Sequence, residues 1–432
     1  MFLSILLLLL FNPVPLEAHP SPNTLVFVDV QPGKVLLEVQ MPVPELELAF
    51  GHNLSRNPEN IINQWGPELT AYLLQHIHAY VSRNHPWQVK VNGLKMAKGL
   101  YADQVNHYWE VNADVELIPS NHESTRKFFL DYSVIMHQVI NHVAFVAIRS
   151  DWETGNVHDT NSEPQIISWN NRDNVIDPLE ISLQTGNWWK GFKRMMEIGM
   201  EHIKDGTDHL LFLIVLLLPA PLLTAGKRWG KFGGISYSLL RLVRIVTAFT
   251  IGHSITLLIG SLGWIQGPSQ LVEILIAFSI FLSAIHAARP LFPGRETWIA
   301  GGFGLIHGLA FAGTLANLRL DTWPMVLSIL GFNLGIELMQ LMIIAIVMPW
   351  LLLISKTPFY HWFRLTGAFL AGIAALGWLV ERLTTQENVI TISIAKLSEY
   401  EYWFIGSLAI LSVSLFIYYE YTVNKQKVKS RF

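Results

Sequence analysis

The sequence predicts a multi-domain membrane protein: an exported, mainly-β, sandwich-like domain followed by an α-helical bundle of about seven transmembrane helices. Three observations predict it. An apolar N-terminal run ends at a small residue, strand-like alternation fills the chain to about residue 187, and apolar segments recur after Gly206. Those segments approach 20 residues, enough for a helix to cross a hydrocarbon core of roughly 30 Å. Of the 432 residues, 51% are apolar and 15% charged, an average over two unlike halves.

Composition narrows the function. A net charge of −3 supplies no basic stripe for phosphates, which argues against nucleic acid as a partner. The chain has no cysteine, so disulfides and thiolate metal sites are excluded, and any metal must be held by His, Asp, Glu and Asn. No GxxxxGK[ST] pattern occurs, and no nucleotide cofactor is expected.

Residues 1–18, MFLSILLLLLFNPVPLEA, read as a secretory signal cleaved after Ala18, the run being short for a membrane anchor. The mature chain would then start at His19, whose amine and ring could chelate copper, or which simply follows the cleavage point. Residues 19–187 form the exported domain. TLVFVDVQ and KVLLEVQM flank Pro32-Gly33 as a hairpin, and HYWEVNADVEL, KFFLDYSVIM and VAFVAIRS alternate in the strand period. PELTAYLLQHIHAYVSR has apolar residues at helical spacing and opens with Pro67, which predicts a helix inserted into a mostly antiparallel sandwich. On that helix His76 and His78 would point in different directions, so no joint site is expected of them.

Residues 188–424 form the membrane domain, with spans centred on DHLLFLIVLLL, LVRIVTAFTIGHSITLLIG, LVEILIAFSIFLSAIHA, WIAGGFGLIHGLAFAGTL, MVLSILGFNLGIELMQLMIIAIVMPWLLL, FRLTGAFLAGIAALGWLV and WFIGSLAILSVSLFIYY. Residues 425–432 are a basic tail. Lys227, Arg228, Lys231, Arg241 and Arg244, then Arg289 and Arg295, then Lys356 and Arg364, and finally the tail mark one side, against Arg319, Arg382 and Lys396 on the other. The positive-inside bias puts the tail in the cytoplasm and the first domain outside. Gly304 with Gly308, and Gly331 with Gly335, stand four apart, the spacing that lets helices approach closely in lipid.

Ionisable side chains inside a span cost roughly 2.5–3.5 kcal/mol each on insertion scales, so a set of them points to an interior cavity with a task. The set here is His209, His253, Glu273, His307 and Glu337, with Asp208 and Asn333 beside them and His202 and Asp205 just before. Counting along each span puts them in the outer half or near the midplane. His202, Asp205 and His209 would share one helical face, and Asn333 and Glu337 another. Neutral imidazole with carboxylate suits Ni²⁺, Co²⁺, Zn²⁺ or Cu²⁺. His286, near the cytoplasmic end, reads as a packed residue instead. Two uses of these side chains stay open: transient ligands of a divalent-metal permease, or a membrane hydrolase whose bound zinc is served by Glu337 or Asp208 as general base.

At HIKDGTDHLLFLI, VTAFTIGHSITL, VEILIAFSI, FGLIHGLAFAG and FNLGIELMQL the chain resembles the HupE/UreJ family of bacterial membrane proteins, in its larger form with an exported N-terminal domain. The family's His, five residues, then Asp-His fall on His202, Asp208 and His209. In its second motif Phe303 stands at a His position and Ala310 at a Glu position, while His307 and Gly308 match. The resemblance implies a multi-pass protein of the cytoplasmic (inner) membrane that carries nickel or cobalt as substrate.

Overall fold

The computed structural model describes residues 22–100, 107–120, 123–157, 164–265, 268–316, 318, 320–398 and 400–429. The expected signal segment, its Ala18 junction, His19 and Arg319 lie outside the described residues. The chain divides into two compact units, Met1–Asn187 and Trp188–Phe432.

In the N-terminal unit, β1 (Thr24–Gln31) and β2 (Lys34–Pro42) form the expected hairpin, with Gln31 opposite Lys34 and Gly33 in the left-handed region the turn requires. Helices α1 (Val43–Phe50) and α2 (Ile61–His76) follow, then β3 (Ile77–Tyr80), β4 (Gln88–Leu100), β5 (His107–Ile118), β6 (Lys127–Tyr132) and β7 (Ala144–Asp151). Short strands complete the unit: β8 (Asn156–Val157), β9 (Gln165–Ile167), β10 (Trp169–Asn170), β11 (Val175–Ile176) and β12 (Leu179–Ser182). One sheet runs β4-β5-β2-β1-β7-β8, with β9 also on β7, and a second runs β12-β6-β3. All pairs in both are antiparallel except β1 with β7. The two sheets share one core, in which Val26, Val28, Val39 and Val115 of the first join Phe128, Leu130 and Ile181 of the second.

Two expectations change here. Helix α2 begins at Ile61, so Pro67 lies inside it. The preceding IINQW already turns helically, and proline removes only one ladder bond. The helix also stops at His76, because Ile77 and Ala79 are buried on β3, where the strand pairs with β6 and places His78 on the exposed face.

The second unit begins with α3 (Trp188–Asp205) and α4 (Thr207–Leu217). A small hairpin, β13 (Leu222–Ala225) with β14 (Arg228–Phe232), occupies the basic connection that follows. Then come α5 (Ile235–Ser261), α6 (Ser269–Ala288), α7 (Glu296–Ala316), α8 (Thr322–Ile354), α9 (Tyr360–Thr384), α10 (Val389–Ser398) and α11 (Glu401–Lys429). Among the described residues, five helices are long and apolar enough to cross a membrane: α5, α6, α8, α9 and the Trp403–Val423 part of α11. Helix α4 has 11 residues, which at 1.5 Å per residue gives only about 17 Å.

The glycine pairs set which helices meet. A methyl group on Gly304 would overlap the carbonyl of Phe249, and one on Gly308 that of His253, so α7 lies backbone to backbone on α5. Gly335 does the same against Met196, and Gly199 against Phe332, so α3 lies on α8. These two tight crossings carry His202, His253, His307 and Asn333.

Candidate functional site: an imidazole cluster in the helical unit

His202 sits in the last turn of α3 and His209 in the first turn of α4. The expectation that they share one continuous helical face with Asp205 is corrected, since the helix breaks at Gly206 and restarts. A Cβ on Gly206 would stand 2.7 Å from the His202 carbonyl oxygen and 2.9 Å from His209 Nδ1, so the break needs glycine. It folds the two rings edge to face, with centroids 4.6 Å apart, and leaves Asp205 exposed. His253 enters from α5, its ring centroid 6.3 Å from that of His202, and His307 from α7, 5.1 Å from that of His209. Four helices thus deliver four imidazoles, of which His209, His253 and His307 are buried.

An oxygen orients each of the three buried rings. Asp208 Oδ1 lies 2.9 Å from His209 Nδ1 and so accepts its proton. The amide of Asn333 donates through Nδ2 to the Ile329 carbonyl, which turns Oδ1 toward His253 Nδ1 at 3.2 Å. The proton of His253 is therefore on Nδ1. Among the described residues its Nε2, buried with a bare lone pair, has no hydrogen-bond partner, and His202 Nε2 is buried and unpartnered too. Ser279 Oγ stands 3.0 Å from His307 Nε2 and also donates to the Ile276 carbonyl. Metal-binding histidines are commonly fixed in this way, one ring nitrogen held by an oxygen and the other freed.

His307 Nδ1 and His209 Nε2 face each other at 3.4 Å. Two nitrogens bound tetrahedrally to one ion at about 2.0–2.1 Å would stand roughly 3.4 Å apart, so the gap has the bite of a shared divalent ion. With no ion there, a proton on His307 Nδ1 fills the same gap if the Ser279 hydroxyl turns its hydrogen from the Ile276 carbonyl to His307 Nε2. Among the described residues no group of three or more His, Asp or Glu is arranged to hold a metal ion, so the cluster consists of pairs and is not a closed cage. Apolar rings enclose it: Phe311 and Phe332 stack on each other at 4.4 Å beside His202, and Phe212 and Phe249 flank His307.

The other expected residues lie apart from these rings. Glu273 pairs with Arg382 at 2.8 Å, and with Asp205 and Asp208 it lines a cavity of about 190 Å³ beside Trp378. Glu337, one turn below Asn333, accepts a hydrogen bond from Thr247 at 2.8 Å. His286 accepts backbone N–H bonds from Leu291 and Phe292 on Nδ1, in keeping with a packed residue. Sequence reading missed Ser279, whose only signal was its spacing of four from Ser283 in an apolar run, and it put His202 at the mouth and not among the rings.

Five helices long and apolar enough to cross a membrane, among the described residues, fit a multi-pass membrane protein. Residues 179–382 match the family model described as HupE / UreJ protein. No curated protein matches the chain, and no solved structure matches it.

Proposed function

We propose that the chain is a secondary transporter or channel that moves a divalent transition metal, nickel or cobalt, across the cytoplasmic membrane of a bacterium. The reading rests chiefly on the imidazole cluster gathered from four helices, three of its rings oriented by Asp208, Asn333 and Ser279 and one, His253, keeping a bare Nε2 lone pair. The acidic cavity at Asp205, Asp208 and Glu273 is the entrance, and Asp208 joins it to the rings. Pairs of ligands suit transport, because a conducted ion must bind well enough to enter and loosely enough to leave. Following the charge bias, the N-terminal unit is extracytoplasmic after removal of the signal, the C-terminus is cytoplasmic, and the chain makes about seven crossings. The hydrolase reading has less behind it, since both its candidate bases are engaged, Asp208 by His209 and Glu337 by Thr247.

Purified protein in liposomes tests the proposal through uptake of Ni²⁺, Co²⁺ and Zn²⁺. The expected outcome is uptake by the native chain that falls at least about tenfold in His209→Ala and His307→Ala, on the scale at which metal-site substitutions act. Equal uptake by all three chains, or none by any, overturns it.

A further inference from the structure

The hairpin β13–β14, at one end of the helical bundle, carries charges that the transport reading does not use. From Leu222 to Arg244 the chain has five basic residues, Lys227, Arg228, Lys231, Arg241 and Arg244, and no acidic one. Arg241 is engaged by Glu296 at 2.7 Å. Among the described residues the side chains of the other four enter no ion pair or hydrogen bond, and all four are exposed. The chain returns to this end before α7 and again before α9, where the Tyr360 hydroxyl donates to the Leu218 carbonyl. These returns add Arg289, Arg295 and Lys356 and one acid, the already paired Glu296.

A two-stranded hairpin is marginal by itself, and this one is fixed to the helix ends. Thr224 opposes Trp229 and Ala225 opposes Arg228, which leaves Gly226-Lys227 as a two-residue turn. Gly226, at φ +61°, takes the first turn position, where a hairpin turn of the primed kind wants glycine. Lys227 and Arg228 therefore stand at the tip. Trp229 turns inward instead: its Nε1 donates to the His286 carbonyl at 3.0 Å, and the Arg241 guanidinium lies over its ring at 5.2 Å. Arg241 also donates to the Leu222 carbonyl at 3.1 Å, and Leu222, Trp229 and Phe232 close on a core with Leu217, Leu242 and Met348.

The flank of the hairpin is apolar and uncovered, Leu223 being 42%, Ile235 52% and Tyr237 38% exposed. Helix α5, which starts at Ile235, has 27 residues, about 40 Å at 1.5 Å per residue, against a hydrocarbon core of roughly 30 Å. Its ends therefore reach the headgroups, and Lys231 is only about 14 Å of extended chain away. Bases beside exposed apolar side chains at this depth fit a lipid, with stems and rings among acyl chains and charges on phosphates. A free phosphate or an acidic peptide would use the charges and leave the apolar flank bare.

We propose that the β13–β14 hairpin is a binding site for anionic phospholipid, in which Lys227, Arg228 and Lys231 hold the lipid phosphate and Leu223, Ile235 and Tyr237 lie along its acyl chains. The site goes beyond the transport reading and stands or falls without it.

Native mass spectrometry of the detergent-solubilised full-length chain, titrated with phosphatidylglycerol and separately with phosphatidylcholine, tests this. A base at an anionic headgroup is worth about fivefold in affinity, so the native chain is expected to bind phosphatidylglycerol at least tenfold more tightly. Lys227→Gln, Arg228→Gln and Lys231→Gln combined should weaken phosphatidylglycerol at least tenfold, with phosphatidylcholine binding and the thermal midpoint unchanged. Arg289→Gln, Arg295→Gln and Lys356→Gln combined remove the same charge from the same end and should cost less than threefold. Equal losses in the two triple variants, or none in the first, overturn the proposal. So does displacement of phosphatidylglycerol by glycerol phosphate at matched concentration, which would make the occupant a soluble phosphate. Liposome uptake enters none of these readouts, so its failure counts against transport alone.

Discussion

His142 in the N-terminal unit and His253 in the helical unit are equally withdrawn from solvent, 3% and 0% exposed, yet their second nitrogens meet different surroundings. His142 has a polar group on both sides: Nε2 is 2.8 Å from the Thr24 hydroxyl, and Nδ1 faces a Glu45 carboxylate oxygen at 3.8 Å, beyond hydrogen-bond reach but placed to receive a charge. His253 is satisfied on one side only, by Asn333. Leaving a polar atom buried and unpaired costs about 1–3 kcal/mol, so such an atom persists where something else uses it. Burial alone therefore does not separate a structural histidine from a working one. Nor does a bare second nitrogen alone, since His286 Nε2 is buried and unpaired as well; what sets His253 apart is that its ring stands among other imidazoles.

The largest expected effect tests whether helix packing creates that unpaired nitrogen. Gly304→Val forces a side chain into the Phe249 carbonyl and separates α7 from α5, whereas Gly302, two residues earlier, has open space around its missing Cβ. Gly304→Val should leave little folded, monodisperse protein by size-exclusion chromatography, since overpacking a contact this close costs several times the usual ~1–3 kcal/mol. Gly302→Ala should elute as the native chain does. A well-folded Gly304→Val with native uptake would mean that the close crossing does not assemble the cluster.

Next in size is the orienting amide. Asn333→Leu removes the acceptor that fixes the His253 tautomer and leaves the ring in place. Uptake in liposomes should fall about 10–100-fold, the usual effect of losing such a partner, with the thermal midpoint nearly unchanged. If His253 were structural in the manner of His142, the midpoint would drop and uptake would follow the folded fraction.

How much of this was legible in the sequence differs between the units, for physical reasons. Strands β1, β2, β5 and β7 were readable because alternation follows which side faces the core, and Pro32-Gly33 is a turn on local grounds. Strand β4 was not, because Lys90, Lys95 and Lys98 interrupt its apolar residues and only pairing with β5 makes it a strand. Depth along a span showed that His209, His253 and His307 could meet, since rise per residue is fixed. Rotation about each helix axis is set by neighbours, so depth could not tell that Glu337 faces Thr247 or that Glu273 faces Arg382. The stacking of His76 on His137 depends on a turn after β6 where Ile135 has φ +66°, which no local pattern announces.

The smallest effect concerns the other half of the comparison, and its sign follows from linkage. Burial lowers His142 from 6.5 to about 4, so between those values the unfolded chain binds a proton that the folded unit resists. Stability contributed by the neutral ring is complete above about pH 6.5 and is lost as pH falls toward 4. At 1.36 kcal/mol per unit the loss is about 3 kcal/mol at most, and it shrinks if the Glu45 carboxylate, 3.8 Å away, receives the new charge. Hydrogen exchange at the amides of β1 and β7, which meet beside Thr24, should therefore quicken between pH 7 and pH 4.5 beyond the intrinsic trend. His142→Gln should flatten that excess without removing the part due to His76, which burial also lowers to about 4, with the same sign. An unchanged slope in His142→Gln would mean that His142 is not held neutral by its surroundings, and the contrast with His253 would lose its reference point.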